Sequence, residues 1–224
     1  MVQRIALAHG EGGELTHQLI QDVFIKSFGH GVQTKLDSAI LPGLDHNMAV
    51  TTDSFVVKPI FFPGGNIGKL AITGTVNDLA VCGATPRYIT AGFILEEGFP
   101  VKDLKKIVQS MAEEADRAGV KIIAGDTKVV EKGSVDGVFI NTTGIGERHE
   151  THRPSPEDMK KGDAVIISGT IGDHGTAILG ARNELGLMTD VSSDCASLNH
   201  LTKELINEVG GIRIMRDPTR GGLA

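Results

Sequence analysis

The chain of 224 residues is 40% hydrophobic and 22% charged, an ordinary globular composition with enough apolar material for two modest units. Its 22 basic residues against 28 acidic ones leave a net charge of -6, which excludes an overall positive field for nucleic acid or an anionic membrane; a phosphate-bearing ligand must be held locally. Two cysteines without metal-ligand spacing favour reduced thiols and a cytoplasmic setting, and neither a secretion-type N-terminus nor an apolar run of the ~20 residues that span a bilayer occurs.

In chain order, Leu15, Leu19, Ile20, Val23, Phe24 and Phe28 recur at helical spacing directly after the Gly10-Glu11-Gly12-Gly13 loop. Leu36 to Leu41 and Met48 to Val57 read as strands, the second ending at Lys58-Pro59. Ile67 to Cys82 reads as a buried helix with Cys82 as core packing, and Tyr88 to Leu95 as the next strand. Val101 to Ala118 is an amphipathic helix stopped by Gly119, after which Val120 to Ala124 resumes strand character. Lys132-Gly133-Ser134 marks a hairpin tip before the strand Gly137 to Ile145, which makes the first unit, residues 1–147, an α+β layer sandwich. Charged residues and two prolines around Arg148 to Pro156 mark a boundary. A second unit, 155–224, follows with a buried-type strand Asp163 to Ser168 and helices Thr176 to Leu187 and Leu198 to Val209; it reads as an incomplete α/β domain.

Four β-like runs end in an acidic residue with small neighbours, at Asp37, Asp53, Asp126 and Asp217. Magnesium takes oxygen ligands, commonly one or two carboxylates plus substrate phosphates, so aspartates near glycine-rich loops suit Mg-ATP. Each could equally be a turn or helix-cap residue. Asn77 and Asp78 are more telling, because they interrupt an apolar helix where an unpartnered polar group costs roughly 1 to 3 kcal/mol. With Thr73 and Gly74 one turn earlier they make a small polar patch that a metal-bound water or a phosphate could approach; the ordinary alternative is a buried hydrogen bond to a neighbouring loop. Lys128, two residues after Asp126, suits a cation facing a phosphate, although a lone lysine is usually solvated surface. Gly64-Gly65-Asn66-Ile67-Gly68-Lys69-Leu70 is not a P-loop, since its second glycine comes one residue early and Leu70 stands where Ser or Thr would ligate magnesium. The histidines His9, His17, His46 and His174 are too scattered for a zinc motif.

Several strings resemble signatures of the HypE family of hydrogenase maturation proteins: Phe61-Phe62-Pro63-Gly64-Gly65-Asn66-Ile67-Gly68-Lys69-Leu70, Val76-Asn77-Asp78-Leu79-Ala80, Gly125-Asp126-Thr127-Lys128-Val129-Val130, Ser168 to Gly175, and Arg216-Asp217-Pro218-Thr219-Arg220-Gly221-Gly222. The resemblance runs from Leu7-Ala8-His9-Gly10 to the last residue. It implies a homodimer whose first domains, each built on a mixed sheet, pair into a shared β-barrel with ATP and Mg2+ in the groove between them. It implies Asp37, Asp53, Asp78 and Asp217 as metal and phosphate ligands, with Asn77, Gly125, Asp126 and Thr127 at the nucleotide and Lys128 stabilising charge. It further implies the family's activity, ATP-dependent dehydration of a thiocarboxamide on a C-terminal cysteine to a thiocyanate, the source of the cyanide ligand of nickel-iron hydrogenase, with the carbamoyltransferase HypF and the HypC-HypD complex as partners. The family's terminal cysteine tail and a late glutamate base have no counterpart in this chain, so the chain by itself is expected to be inactive. Two other readings stand beside this one: a small-molecule kinase or ligase of the same superfamily, and a non-catalytic maturation scaffold.

Overall fold

A computed structural model describes residues 4–10, 14–29, 48–149, 156–183, 186 and 189–218. The expected strand Leu36 to Leu41, with Asp37, lies outside the described residues.

Six strands are present among them: β1 (Met48–Phe55), β2 (Phe61–Phe62), β3 (Gly65–Asn66), β4 (Ala84–Glu96), β5 (Lys121–Val130) and β6 (Val138–Arg148). The helices are α1 (Glu14–Leu19), α2 (Lys26–Phe28), α3 (Ile67–Val81), α4 (Val101–Ala118), α5 (Asp173–Arg182) and α6 (Asn199–Glu208), with a π-helical stretch, Ile20–Ile25, joining α1 to α2. The main sheet has the order β1-β6-β4-β5, and β2 with β3 forms a small hairpin. β4 and β5 run parallel, as the crossover through α4 requires, while β6 is antiparallel to both β1 and β4, which makes the sheet mixed. The chain thus has the α+β character read from its sequence.

The core lies between the sheet and the pair α3, α4. Ile67, Ile72 and Val76 of α3 meet Leu104, Ile107, Val108 and Met111 of α4 over Ile89, Ala91, Phe93, Leu95 and Ile140, all of them buried. At the helix crossing Gly68 lies so close to the Ile107 carbonyl and the Met111 side chain that a methyl group would not fit. α4 ends where the spacing placed its stop, with Gly119 at φ +70 receiving the chain into β5.

Paired residues share a face of a sheet, so register sorts the side chains. Asp53, Thr142, Ala91 and Gly125 are cross-strand partners on the helix-covered face; Ser54, Asn141, Gly92 and Asp126 are partners on the other, as are Phe139, Ile94 and Lys128. That second face carries the exposed Val50 and Ile94.

Four expectations need correction. Lys132-Gly133-Ser134 is not a hairpin tip, because β5 and β6 flank β4 instead of pairing with each other. Cys82 is exposed, because α3 ends at Val81 and the chain turns there before the buried helix face recurs. β4 begins four residues before Tyr88 and runs through Pro86, which is accommodated by a register shift against β6 between Pro86 and Tyr88. Asp163 to Ser168 is not a strand: Val165 and Ile166 are 85% and 89% exposed, and no described residue supplies them with a ladder partner. The two later helices are present, shorter than expected, with α5 opened by Gly172 at φ +89 and closed by Asn183 at φ 53.

Candidate functional site

α3 lies across β1, and the contact is made by a residue without a side chain. A Cβ at Gly74 would sit 2.9 Å from the Phe55 ring and 3.9 Å from Asp53 Oδ2, so the helix approaches β1 at the level of Asp53. One turn further, Asp78 Oδ2 accepts a hydrogen bond from Thr51 Oγ1 at 3.1 Å. The next strand in contributes Thr142, fully buried and bonded through its hydroxyl to Thr75 of α3, which fixes the helix against the sheet beneath these carboxylates. Asp53 Oδ1 takes the Ser54 N–H at 2.8 Å.

The segment 212–218 brings in Asp217 and Arg216. Burial holds the Asp217 carboxyl above its ordinary range, and the negative charges of Asp78, Asp194 and Asp53 add to that. Asp78 is raised too, first by burial and then by Asp53, against the Thr51 hydrogen bond and the Arg216 guanidinium, which both favour its ionised form. Asp53, Asp78 and Asp217, three of the aspartates singled out in the sequence, are therefore mutually within electrostatic reach. Asp194 joins them without having been singled out. It lies in an irregular stretch with no periodic pattern, and only the folded path of the chain carries it there.

The donor set is all hard oxygen, which suits magnesium. Among the described residues no three carboxylates, histidines or cysteines converge closely enough to encage a metal by themselves. The two carboxyls whose ionisation is opposed by like charge are groups that a bound cation would relieve.

Asn77 stands differently. Its Nδ2 donates to the Ala196 carbonyl at 3.0 Å and its Oδ1 accepts the Leu198 N–H at 2.8 Å, so both ends of the amide are used by the main chain of a neighbouring loop. That is the buried-hydrogen-bond alternative weighed above. The glycine-rich hairpin likewise has a structural account: Asn66 Oδ1 accepts the Gly68 and Lys69 N–H groups at 2.8 and 3.1 Å, capping α3, and Lys69 Nζ bonds to the Gly64 carbonyl. The Ile67, Gly68 and Lys69 amides at the start of the helix are thus occupied. Asp126 and Lys128 are exposed on β5, on the opposite face of the sheet from Asp53; within one copy they do not join the carboxylate group.

Residues 35–148 match the family described as AIR synthase related protein, N-terminal domain. The carbamoyl dehydratase HypE of Escherichia coli K12 is 48% identical over 228 residues, covering 99% of this chain and 68% of that protein. A crystal structure of a hydrogenase maturation protein HypE in complex with ATP superposes with a TM-score of 0.92 at 51% identity, over 97% of this chain and 65% of that one. A HypE-HypF complex gives a TM-score of 0.76 at 55% identity, over 93% and 67%. The chain spans about two-thirds of the length of the relatives that it matches. Identity near one-half sustained over nearly every residue, on a backbone that follows the solved relative throughout, means that this chain belongs to the HypE family.

Proposed function

We propose that this chain carries the Mg-ATP site of a carbamoyl dehydratase, which uses ATP to turn a protein-bound thiocarboxamide into a thiocyanate, the precursor of the cyanide ligand of nickel-iron hydrogenase. The observation that carries the proposal is that Asp53, Asp78 and Asp217 lie within electrostatic reach of one another, with Arg216 acting on Asp78, in a chain whose solved relative holds ATP. Asp37, the fourth aspartate implied by resemblance, lies outside the described residues.

An amide oxygen is a poor leaving group, and phosphoryl transfer changes that. The thiocarboxamide oxygen attacks the γ-phosphorus of ATP and ADP departs, while one N–H proton is lost and the carbon-nitrogen bond becomes an imine. Phosphate then leaves with the former amide oxygen as the second N–H proton departs, and the nitrile forms. Magnesium supplies charge neutralisation at the phosphates. Asp53, Asp78 and Asp217 would hold and orient it, and Arg216, whose charge acts on Asp78, would offer a cation to a phosphate.

Asp126 and Lys128, with Gly125 and Thr127 between and beside them, enter through a homodimer. The open face of the sheet bears Val50 and Ile94, apolar and exposed, and covering it with the same face of a second copy is the arrangement that brings β5 to a nucleotide shared by two copies. HypF and HypC-HypD are the partners that this reading implies, HypF because a relative is solved in complex with it, and the setting is the cytoplasm; no helix among the described residues is long and apolar enough to cross a membrane.

Intact mass tests the reading. A form carrying the family's terminal cysteine, incubated with HypF, carbamoyl phosphate and ATP, should gain one carbamoyl group and then lose one water, with ADP and phosphate released. ATP consumed on a small molecule with no change in protein mass would replace the dehydratase with a kinase or ligase.

A further inference from the structure

The chain carries more acidic than basic residues, yet one concave surface reverses that balance. An open cleft of about 500 Å3 lies between α4 on one side and, on the other, the π-helical stretch Ile20–Ile25 with the start of α2. Its first wall is Asp22, Lys26 and Ser27, together with the buried Val23. Those residues share a face because of how the helix is wound. The Lys26 N–H donates to the Gln21 carbonyl, five residues back, and such a turn stacks Asp22, Lys26 and Ser27; an α-helical turn of about 3.6 residues would carry Ser27 off that face. A π-helical turn is uncommon and is frequently found at functional sites. The second wall is Lys105, Lys106 and Gln109 of α4, so three lysines stand in the cleft against one carboxylate. Lys106 Nζ is 3.4 Å from Asp103 Oδ1 and 5.5 Å from the centre of the Phe61 ring. Lys26 and Lys105, both exposed, have no ion pair among the described residues.

We propose that this cleft is a docking surface for an acidic segment of a partner protein, whose carboxylates pair with Lys26, Lys105 and Lys106. Charge complementarity selects that occupant. The cations are all ammonium groups on exposed, flexible stems, with no arginine among the lining residues. A single small anion gains no fixed geometry from them, whereas a row of carboxylates meets both walls at once. Nucleic acid would extend far beyond the cleft, over a chain whose net charge of -6 repels it, and a flat anionic bilayer does not enter a concave surface. Val23 and the hydrocarbon stems of the lysines give a polypeptide apolar ground to lie on. None of Asp53, Asp78 and Asp217 lines the cleft, so the inference stands apart from the Mg-ATP reading.

The test is fluorescence anisotropy of a labelled decaglutamate peptide titrated with the 224-residue chain. Binding should saturate at one peptide per chain and weaken as salt rises from about 50 to about 300 mM. Lys26→Glu and Lys105→Glu, on opposite walls, should each weaken it about fivefold, and the two together about twentyfold. Lys132→Glu, at an exposed lysine outside the cleft, should change it by less than about twofold. All three positions are exposed, so the variants should melt with the wild type. Absence of binding to the wild type overturns the proposal, and so does equal weakening by Lys132→Glu, which would mean diffuse attraction without a site. Tighter binding of an oligonucleotide of the same length, lost in the same two variants, would replace the protein segment with nucleic acid. Displacement of the peptide by an equal concentration of inorganic phosphate would replace it with a small anion.

Discussion

Residues 48–149 and residues 156–218 contain similar apolar runs and put them to different use. In the first region Ile89, Leu95, Leu104, Ile107 and Met111 are completely enclosed between one sheet face and two helices. In the second, Val165 and Ile166 stand almost wholly in solvent, and what is buried is a handful of contacts of α5, α6 and the stretch between them, such as Ala177, Ile178, Ser193, Asn199 and Thr202. The difference teaches that apolar sequence makes a strand only where another strand is there to pair with it and a layer is there to cover it. The second region owes its placement instead to polar ties, the hydrogen bonds of Asn77, Glu114, Pro63 and Ala118.

The largest effect should come from breaking the enclosed region. Leu104→Ala removes a fully buried side chain at the crossing of α4 with α3 and the sheet, and a cost of about 3 kcal/mol is expected from lost transfer free energy plus a cavity. Urea unfolding followed by circular dichroism measures it, and a cost below about 1 kcal/mol would mean that this core is not closed. Gly64→Ala comes next. It forces an L side chain to φ +90 against the Ser193 main chain, for which about 2 kcal/mol is expected. Its signature is regional: hydrogen exchange should quicken at 189–198 and stay unchanged in β4 and β6, whereas Leu104→Ala should quicken exchange throughout 48–149.

How far each region could be read in advance follows from the same contrast. Helix periodicity in Val101 to Ala118 and the glycine that ends it are local signals, and they reappear in the structure with the φ that a C-cap glycine requires. Of the site, Asp78 stands out because it interrupts an apolar helix, where an unpartnered polar group is costly, whereas Asp53 and Asp217 read as acidic ends of β-like runs that a turn or cap explains equally well, and the family resemblance is what groups the three. Asp194 does not stand out, since nothing in Ser192-Ser193-Asp194-Cys195 is periodic and the stretch that follows it is anchored at Ala196 by Asn77, more than a hundred positions away. The strand expected at Asp163 to Ser168 failed for a complementary reason: the run is apolar enough, but pairing is a property of other parts of a chain. Face could not be read either. Asp126 and Asp53 look alike as strand-end aspartates, and only register puts them on opposite sides of one sheet.

A smaller and opposite effect is expected where the two regions meet. Burial and neighbouring carboxylates raise the affinity of Asp217 for a proton above its ordinary value of 3.8. Between that value and the raised one the native state binds more protons than the unfolded chain, so stability falls as pH rises through the interval and the penalty is present above it. Asp217→Asn removes it. The nucleotide-free variant should melt higher than the wild type at pH 7, with the difference shrinking as the pH is lowered through that interval. Adding Mg-ATP should reverse the order, because the wild type gains a ligand that the variant holds poorly. A variant less stable than the wild type at pH 7 without ligand would show that Asp217 is held by partners that outweigh its like-charged neighbours.

The smallest effect belongs to Ile166, and it is the sharpest way to distinguish the two regions. A buried isoleucine cut to alanine costs roughly 2 to 5 kcal/mol, whereas surface substitutions usually fall within about 0.5 kcal/mol. At 89% exposure Ile166 has little apolar contact to lose, so Ile166→Ala should shift the urea midpoint by less than the error of the measurement while Leu104→Ala, of comparable size change, shifts it plainly. The same variant should lower the binding of a hydrophobic dye such as ANS, since Val165, Ile166 and Ile167 form a run of exposed apolar surface. If Ile166→Ala instead costs 2 kcal/mol or more, the run is covered in solution, by another copy of the chain or by a further segment. The cost would then depend on protein concentration in the first case and not in the second.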